Sequence, residues 1–133
     1  MKRSYRTLFI WHASVDIAAR VLELTDAFPY QRRSLSDQLQ RAAISVPSNI
    51  AEGQGRITDR EERHFLSIAR GSLHELDTQL EIAVRAGLVT AAHREELMGP
   101  GRQVGAGINK MISKLNTSIT QSLYHSRKNR HTS

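Results

Sequence analysis

Apolar residues spaced three or four apart run through almost the whole chain, and this period restricts the fold to helices. The clearest case begins at Thr58 and stops at Gly87. Thr58 with Glu61 matches a capping box, and Gly87 is a natural helix stop. No apolar–polar alternation is long enough to indicate a strand, so the sequence predicts an all-α protein. The core stripe of this segment comprises Leu66, Ala69, Leu73, Leu76, Leu80 and Ala83.

Three further segments share the helical period and are joined by short connections. The first covers residues 7–28, and the second runs from Ser34, its expected N-cap, through at least Ile50 with a kink at Pro47. The fourth begins at Thr90 and reaches Ile119, and we expect Gly99-Pro100-Gly101 to bend or split it. Four such helices predict an antiparallel up-and-down four-helix bundle. We place the domain at residues 1–120, followed by a basic, disordered tail at 121–133.

The first predicted helix carries two apolar stripes on roughly opposite faces. One contains Leu8, Trp11, Val15, Ala18 and Leu22. A monomer core needs only one of them, so either this helix is central to the core or the other stripe is covered by a second subunit. Every helix of a four-helix bundle is peripheral, which favours the subunit interface. The interface candidates are Ile10, Ile17, Val21, Leu24 and Phe28.

The charge balance favours a polyanionic partner. The chain has 19 Lys and Arg against 13 Asp and Glu, a net charge of +6 and a pI near 10.3. Nucleic acid is the first expectation, although a solvated basic surface without a partner would give the same balance. Aromatic residues are scarce near these charges, so phosphate contacts are favoured over base stacking. The candidate contacts are Lys2, Arg3, Arg6, Arg32, Arg33, Arg56, Arg60, Arg127, Lys128 and Arg130.

Most catalytic and metal-binding patterns are missing from the sequence. The chain has no Cys, which excludes disulfides, thiolate metal sites and thiol nucleophiles. Its six His form no i, i+4 pair, and no phosphate-binding loop or G-x-S-x-G element occurs. We therefore predict a protein that is not an enzyme and uses no metal or cofactor. No apolar run approaches the roughly 20 residues of a membrane span, so we expect a soluble, cytoplasmic protein.

A polar stripe follows one face of the second helix within and beside the stretch SVPSNIAEGQGR. In a structural interpretation, Glu52 pairs with Arg56, Ser48 bonds Glu52, and Asn49 satisfies the carbonyl that Pro47 leaves free. In the alternative, Arg41 and Arg56 face a ligand phosphate. The spacing favours the structural interpretation.

Glu75 raises a related question on the third helix. It lies seven residues from both Ile68 and Ile82, and a carboxylate among isoleucines needs a partner. Arg41 or Arg56 could supply it, from within the chain or from a neighbouring subunit.

Two motifs carry a resemblance to a known family. Arg41-Ala42-Ala43 leads into Ser45-Val46-Pro47-Ser48-Asn49-Ile50-Ala51-Glu52-Gly53. Phe65-Leu66 is followed by Gly71-Ser72-Leu73-His74-Glu75-Leu76-Asp77-Thr78-Gln79-Leu80. With Trp11 and Phe28-Pro29, these motifs resemble the four-helix-bundle family of 23S rRNA intervening-sequence proteins over roughly residues 7–120.

The resemblance implies an antiparallel four-helix bundle that assembles as a homopentamer, with the helix around Pro47 continuous. The family's last helix usually runs unbroken, so Gly99-Pro100-Gly101 departs from its pattern. Its motif positions imply structural or interface roles for Arg41, Ser45, Pro47, Ser48, Asn49, Glu52, Gly53 and Glu75.

A related branch, the accessory proteins of diversity-generating retroelements, consists of basic pentamers that bind nucleic acid and a reverse transcriptase. Together with the charge, the resemblance predicts a non-catalytic, homo-oligomeric protein that binds RNA or DNA, RNA first. The alternative is a protein-interaction scaffold, for example for a reverse transcriptase, that does not bind nucleic acid itself.

Overall fold

The structure, a computed structural model, describes residues 4–131. Four long helices account for most of this range: α1 (Phe9–Asp26), α2 (Arg33–Gln54), α3 (Asp59–Arg85) and α4 (Ala91–His131). Single 3-10 turns at Tyr5–Thr7 and Tyr30–Arg32 precede α1 and α2. Residues 4–131 contain no β-strand. The predicted all-α class with four helices is confirmed.

The four helices pack side by side in chain order, and α1 also contacts α4 to close the bundle. Positions along α3 meet progressively earlier positions of α4. Arg63 bonds Asn116, whereas Arg70, further along α3, bonds the earlier Asn109. This order shows that α3 and α4 are antiparallel.

The bundle is held by a core of aliphatic side chains from all four helices. The α3 stripe predicted from the sequence is buried throughout. Each fully buried Leu or Ile contributes about 1.5–3 kcal/mol relative to an exposed one. The largest side chains with almost no exposure are Leu39, Ile50, Leu66, Leu76, Leu80 and Ile108.

Both apolar stripes of α1 contribute to the core, which corrects part of the predicted interface. Ile10, Ile17 and Val21 are buried in the core of the single chain, so the interface role predicted for these three is wrong, whereas Leu24 and Phe28 pack against the core and are half-buried. In the other stripe Ala18 is buried and Leu8 and Trp11 pack against the core, whereas Val15 is 36% exposed and Leu22 41% exposed. Periodicity reveals two faces of a helix but does not show which of them its neighbours cover.

Helix α2 runs unbroken through the buried Pro47, as the resemblance implied. The expected N-cap was wrong, because Ser34 lies inside α2 and the helix continues from the 3-10 turn without a side-chain cap at Arg32.

Of the two outcomes predicted for α4, a bend or a split, the split is wrong, since the helix continues through Pro100. The nearby glycines serve packing instead. A Cβ at Gly105 would lie 3.3 Å from Cδ2 of Leu73 on α3, and one at Gly107 would collide with Ile10 of α1. These glycines allow α4 to approach its neighbours closely.

The last segment of α4 differs from the sequence expectation as well. Residues 121–133 were expected to be disordered, yet α4 continues to His131. Every residue from 120 to 130 is exposed, so these residues pack little against the bundle. We call residues 120–130 the α4 arm. Extending an existing helix avoids the unfavourable nucleation step, which explains how helix can persist there.

Candidate nucleic-acid interface

The basic residues predicted from the sequence do not form one surface. Arg32 and Arg33 precede and begin α2, whereas Arg56 and Arg60 flank the connection at its other end. The 22 residues of α2 span about 33 Å at 1.5 Å per residue. Lys2 and Arg3 lie outside the described residues. The candidates therefore separate into two groups at opposite ends of the bundle.

Three of these arginines are engaged with aromatic rings: Arg6, Arg33 and Arg56, the last of which lies 4.5 Å from the ring centre of Phe65. The guanidinium of Arg6 lies 5.3 Å from the ring centre of Trp11. Arg33 lies 4.5 Å from the ring centre of Tyr30 and donates to its hydroxyl at 2.8 Å. Such cation–π contacts hold the arginine stems while leaving their charge near the surface.

Arg60 lies beside the base of the α4 arm. The first turn of α3 and the start of the arm enclose a cleft of about 270 Å³ lined by Asp59, Arg60, Ile119 and Leu123. Ser118 donates to Asp59 across this junction at 2.6 Å. Because Arg127, Lys128 and Arg130 follow on the arm, the structure brings Arg60 near the tail group.

A basic stripe runs along the outer face of α4. At 3.6 residues per turn, Lys110, Lys114, Tyr124 and Lys128 fall within about 80° around the helix axis. All four are exposed, and the buried residues of α4, such as Ile108, lie on the opposite side. The stripe is about 27 Å long from Lys110 to Lys128. The stripe was not predicted from the sequence, because a disordered tail at residues 121–133 would have separated Tyr124 and Lys128 from Lys110 and Lys114.

Arg94 and Arg102, in the first part of α4, are paired with acids. Arg102 forms an ion pair with Glu95, and the hydrogen bond it donates holds the pKa of the Glu95 carboxyl below its ordinary value. Arg94 donates to Asp77 at 2.6 Å. The basic charge of the first part of α4 is thus balanced by acids, and Lys110, Lys114 and Lys128 belong to the outer stripe.

The polar stretch of α2 forms a hydrogen-bonded seam against α3. Ser45 Oγ and Ser72 Oγ lie 2.7 Å apart. Asn49 donates its side-chain amide to the Ser45 carbonyl at 2.8 Å and to Ser45 Oγ at 2.9 Å. The acceptor is therefore the Ser45 carbonyl, not the Ala43 carbonyl that Pro47 leaves free.

The end of this stretch is built for close helix contact. Arg56 donates to Glu52 at 2.7 Å, which confirms the predicted pair, and its guanidinium lies over Phe65. Ser48 bonds the carbonyl of Ile44 rather than Glu52. A Cβ at Gly53 would lie 3.3 Å from the Cβ of Phe65, so glycine lets α2 approach α3.

Arg41 and Glu75 line the same open cleft of about 400 Å³ between α2 and α3. Among residues 4–131 no ion pair joins them, and Arg56 pairs with Glu52 instead. The side-chain oxygen of Gln79 also borders the cleft and is buried without a hydrogen-bond partner in the described part of the chain. The motif residues thus form a seam whose polar groups are hydrogen-bonded, next to a cleft in which the Gln79 oxygen has no hydrogen-bond partner in the described part of the chain.

The profile of the 23S rRNA-intervening sequence protein family matches residues 6–110. The chain belongs to this family. A crystal structure of a Bacteroides thetaiotaomicron protein of unknown function from the S23 ribosomal protein family has a similar fold, with a TM-score of 0.72. The two chains are 20% identical, and the match covers 77% of this chain and 97% of the other. A search of curated proteins finds no match.

The 23S rRNA-intervening sequence family match includes both α2–α3 motifs and ends at Lys110, where the outer stripe begins. Within residues 4–131, no three His, Asp or Glu side chains are grouped to hold a metal ion. None of the described helices combines the length and apolar character of a membrane span.

Proposed function

We propose that the protein is a non-catalytic, homo-oligomeric nucleic-acid-binding protein, with RNA as its first ligand. The outer stripe of α4 carries the proposal. No Asp or Glu follows Glu96 in the sequence, whereas six Lys and Arg do. A surface of one sign attracts phosphates and releases their counterions on binding.

The geometry of the stripe suits a phosphate backbone. Lys110 and Lys114 are one helical turn apart, and Lys128 continues the line onto the arm. Arg127 and Arg130 lie on other sides of the arm, which is exposed all round. An RNA strand that runs along α4 would therefore contact cations beside the bundle and around the arm. Such contacts to phosphates position the ligand but do not read its base sequence.

The descriptions of the family and of the structural neighbour indicate which RNA to test first. The family description refers to an intervening sequence in 23S rRNA, and the structural neighbour comes from a ribosomal protein family. These descriptions make structured RNA the first probe.

The oligomer in this proposal is the homopentamer implied by the resemblance. The outer face of α1 offers Val15 and Leu22 as one exposed apolar surface. A different surface, across α2 and α3, exposes Ile44, Ile68 and Ile82. Two distinct apolar faces suit head-to-tail contacts, which close into a ring when the rotation allows. A ring of five stripes would strengthen weak phosphate contacts through avidity.

The second candidate function is a protein-interaction scaffold. The exposed Ile44, Ile68 and Ile82 lie on α2 and α3, the two helices that form the Arg41–Glu75 cleft, and exposed apolar side chains on one surface are typical of protein-binding sites. Here the basic charge would serve solubility or a protein partner such as a reverse transcriptase, and nucleic acid would not bind.

A mass measurement by light scattering, coupled to titrations with a hairpin RNA and a DNA duplex at two salt concentrations, tests the proposal. We expect a five-subunit mass and RNA binding that weakens steeply with salt. A five-subunit mass without binding at low salt would replace the nucleic-acid proposal with the scaffold. A monomer would overturn the assembly.

A further inference from the structure

Tyr124 is the one aromatic side chain of the outer stripe, and the bundle does not cover it. It is 63% exposed and lies within the α4 arm, where every neighbouring residue is exposed as well. The adjacent His125 ring meets it edge-on, with ring centres 5.8 Å apart and planes at 70°. Much of the Tyr124 ring therefore remains open to water.

The position of Tyr124 relates it to the lysines rather than to the core. Lys128 is four residues further on, one helical turn or about 6 Å along the same face. Lys114 lies ten residues earlier, about 15 Å along the axis. Cations therefore bracket the ring from both sides.

We propose that Tyr124 stacks on an unpaired base, so that the preferred ligand is RNA with a single-stranded segment. This inference rests on the proposed function and assigns the class of RNA. Lysines reach phosphates in paired and unpaired strands alike, but the face of a base is free for stacking only where it is unpaired. A nucleotide stacked on Tyr124 would have its phosphate within reach of Lys128.

The contributions of stacking and of charge to RNA affinity can be distinguished by measuring how the affinity depends on salt concentration. Removal of one phosphate contact lowers the dependence of log affinity on log salt by about 0.7 for a single strand. Removal of a stacked ring decreases affinity without changing that dependence, because no counterion is involved. Without one base–aromatic stack, binding is weaker by roughly tenfold.

The test is a fluorescence-anisotropy titration of the full chain at four salt concentrations. The probes are an unstructured RNA of about 16 nucleotides and the same sequence as a blunt duplex. The proteins are the unmodified chain, Tyr124→Leu, Tyr124→Phe and, as the charge control, Lys114→Gln. Because Tyr124 is exposed, Tyr124→Leu is expected to keep the fold, which circular dichroism and light-scattering mass verify.

We expect Tyr124→Leu to weaken single-strand binding roughly tenfold with an unchanged salt dependence and unchanged duplex binding. Tyr124→Phe should retain the affinity, and Lys114→Gln should lower the salt dependence for both probes. A 2-aminopurine base in the single strand should be quenched by the unmodified chain and not by Tyr124→Leu.

Two results would overturn the inference, and they are distinct. If RNA binds with the expected salt dependence but Tyr124→Leu has no effect, or weakens both probes equally, the stacking role is wrong while the proposed function stands. If neither RNA form binds at low salt, the proposed function fails and the inference fails with it. In that second case a change in mass for Tyr124→Leu would assign the ring to a contact between copies.

Discussion

Ser45 and Ser72 share a hydrogen bond of 2.7 Å that joins α2 to α3 at the centre of the two family motifs. Ser72 is buried, and Asn49 fixes Ser45 from within α2. The small size of both serines allows the helices to approach, and their hydroxyls satisfy each other at the contact. These motif residues therefore act first in holding α2 against α3.

Replacement of Ser72 by Ala should destabilise the bundle by about 1–2 kcal/mol, because Ser45 loses its cross-helix partner at a mostly buried site. Urea unfolding followed by circular dichroism measures the change in free energy. Ser113→Ala, at an exposed position of α4, is the matched control and should change stability by less than about 0.5 kcal/mol. Equal effects of the two substitutions would contradict the role of the seam.

Two glycines should respond to alanine in opposite directions. Gly107→Ala places a Cβ against Ile10 and should destabilise the protein by about 1–3 kcal/mol. Gly71→Ala, inside α3 with no atom within 4 Å of the added Cβ, should stabilise it by about 0.5–1 kcal/mol. Thermal unfolding of the two variants makes the comparison, and a stabilising Gly107→Ala would show that α1 and α4 are not in close contact.

Removal of Lys110 and Lys114 together should weaken RNA binding. The slope of log affinity against log salt concentration should become shallower by about 1.4–1.8, or 0.7–0.9 for each phosphate that is no longer neutralised. The measurement is an RNA titration at several salt concentrations with Lys110→Gln/Lys114→Gln. The control, Arg32→Gln/Arg33→Gln, removes the same charge at the far end of the bundle. If the control loses as much affinity, the outer stripe is not the binding surface.

Val15→Asp and Leu22→Asp should dissociate the homo-oligomer while leaving the helical content of the monomer intact. Both side chains are partly exposed in the single chain, so a charge there costs the fold little, but it would be desolvated in a subunit contact. Light-scattering mass measures the assembly. Ile57→Asp, at a 95% exposed residue between α2 and α3, is the control. An unchanged mass for the α1 variants would place the subunit contact elsewhere.

Several local features were predictable, although the Ser34 cap and the Ser48–Glu52 bond were not. Thr58 accepts a hydrogen bond from the Glu61 amide at 3.2 Å, and Gly87 adopts a positive φ of 75° after α3. The Glu52–Arg56 pair also formed as expected, because residues four apart on a helix are neighbours whatever surrounds them.

Predictions that required knowledge of neighbouring helices were wrong or incomplete. Gly99-Pro100-Gly101 has the composition of a break, yet α4 continues, because packing against α1 and α3 outweighs local propensity. The charged site was missed for a different reason, since Lys110 and Lys114 join Lys128 in one stripe only because α4 continues beyond residue 120 into the exposed arm.

By itself, the sequence determined the helical class, the family and the excess of positive charge, because period, motif and composition are all properties of the chain read in order. Only the tertiary structure decided which face of α1 is covered, and it placed Arg41 and Glu75 on one cleft without an ion pair between them. Those features depend on residues far apart in sequence, and the energy that decides them arises only when the helices pack against one another.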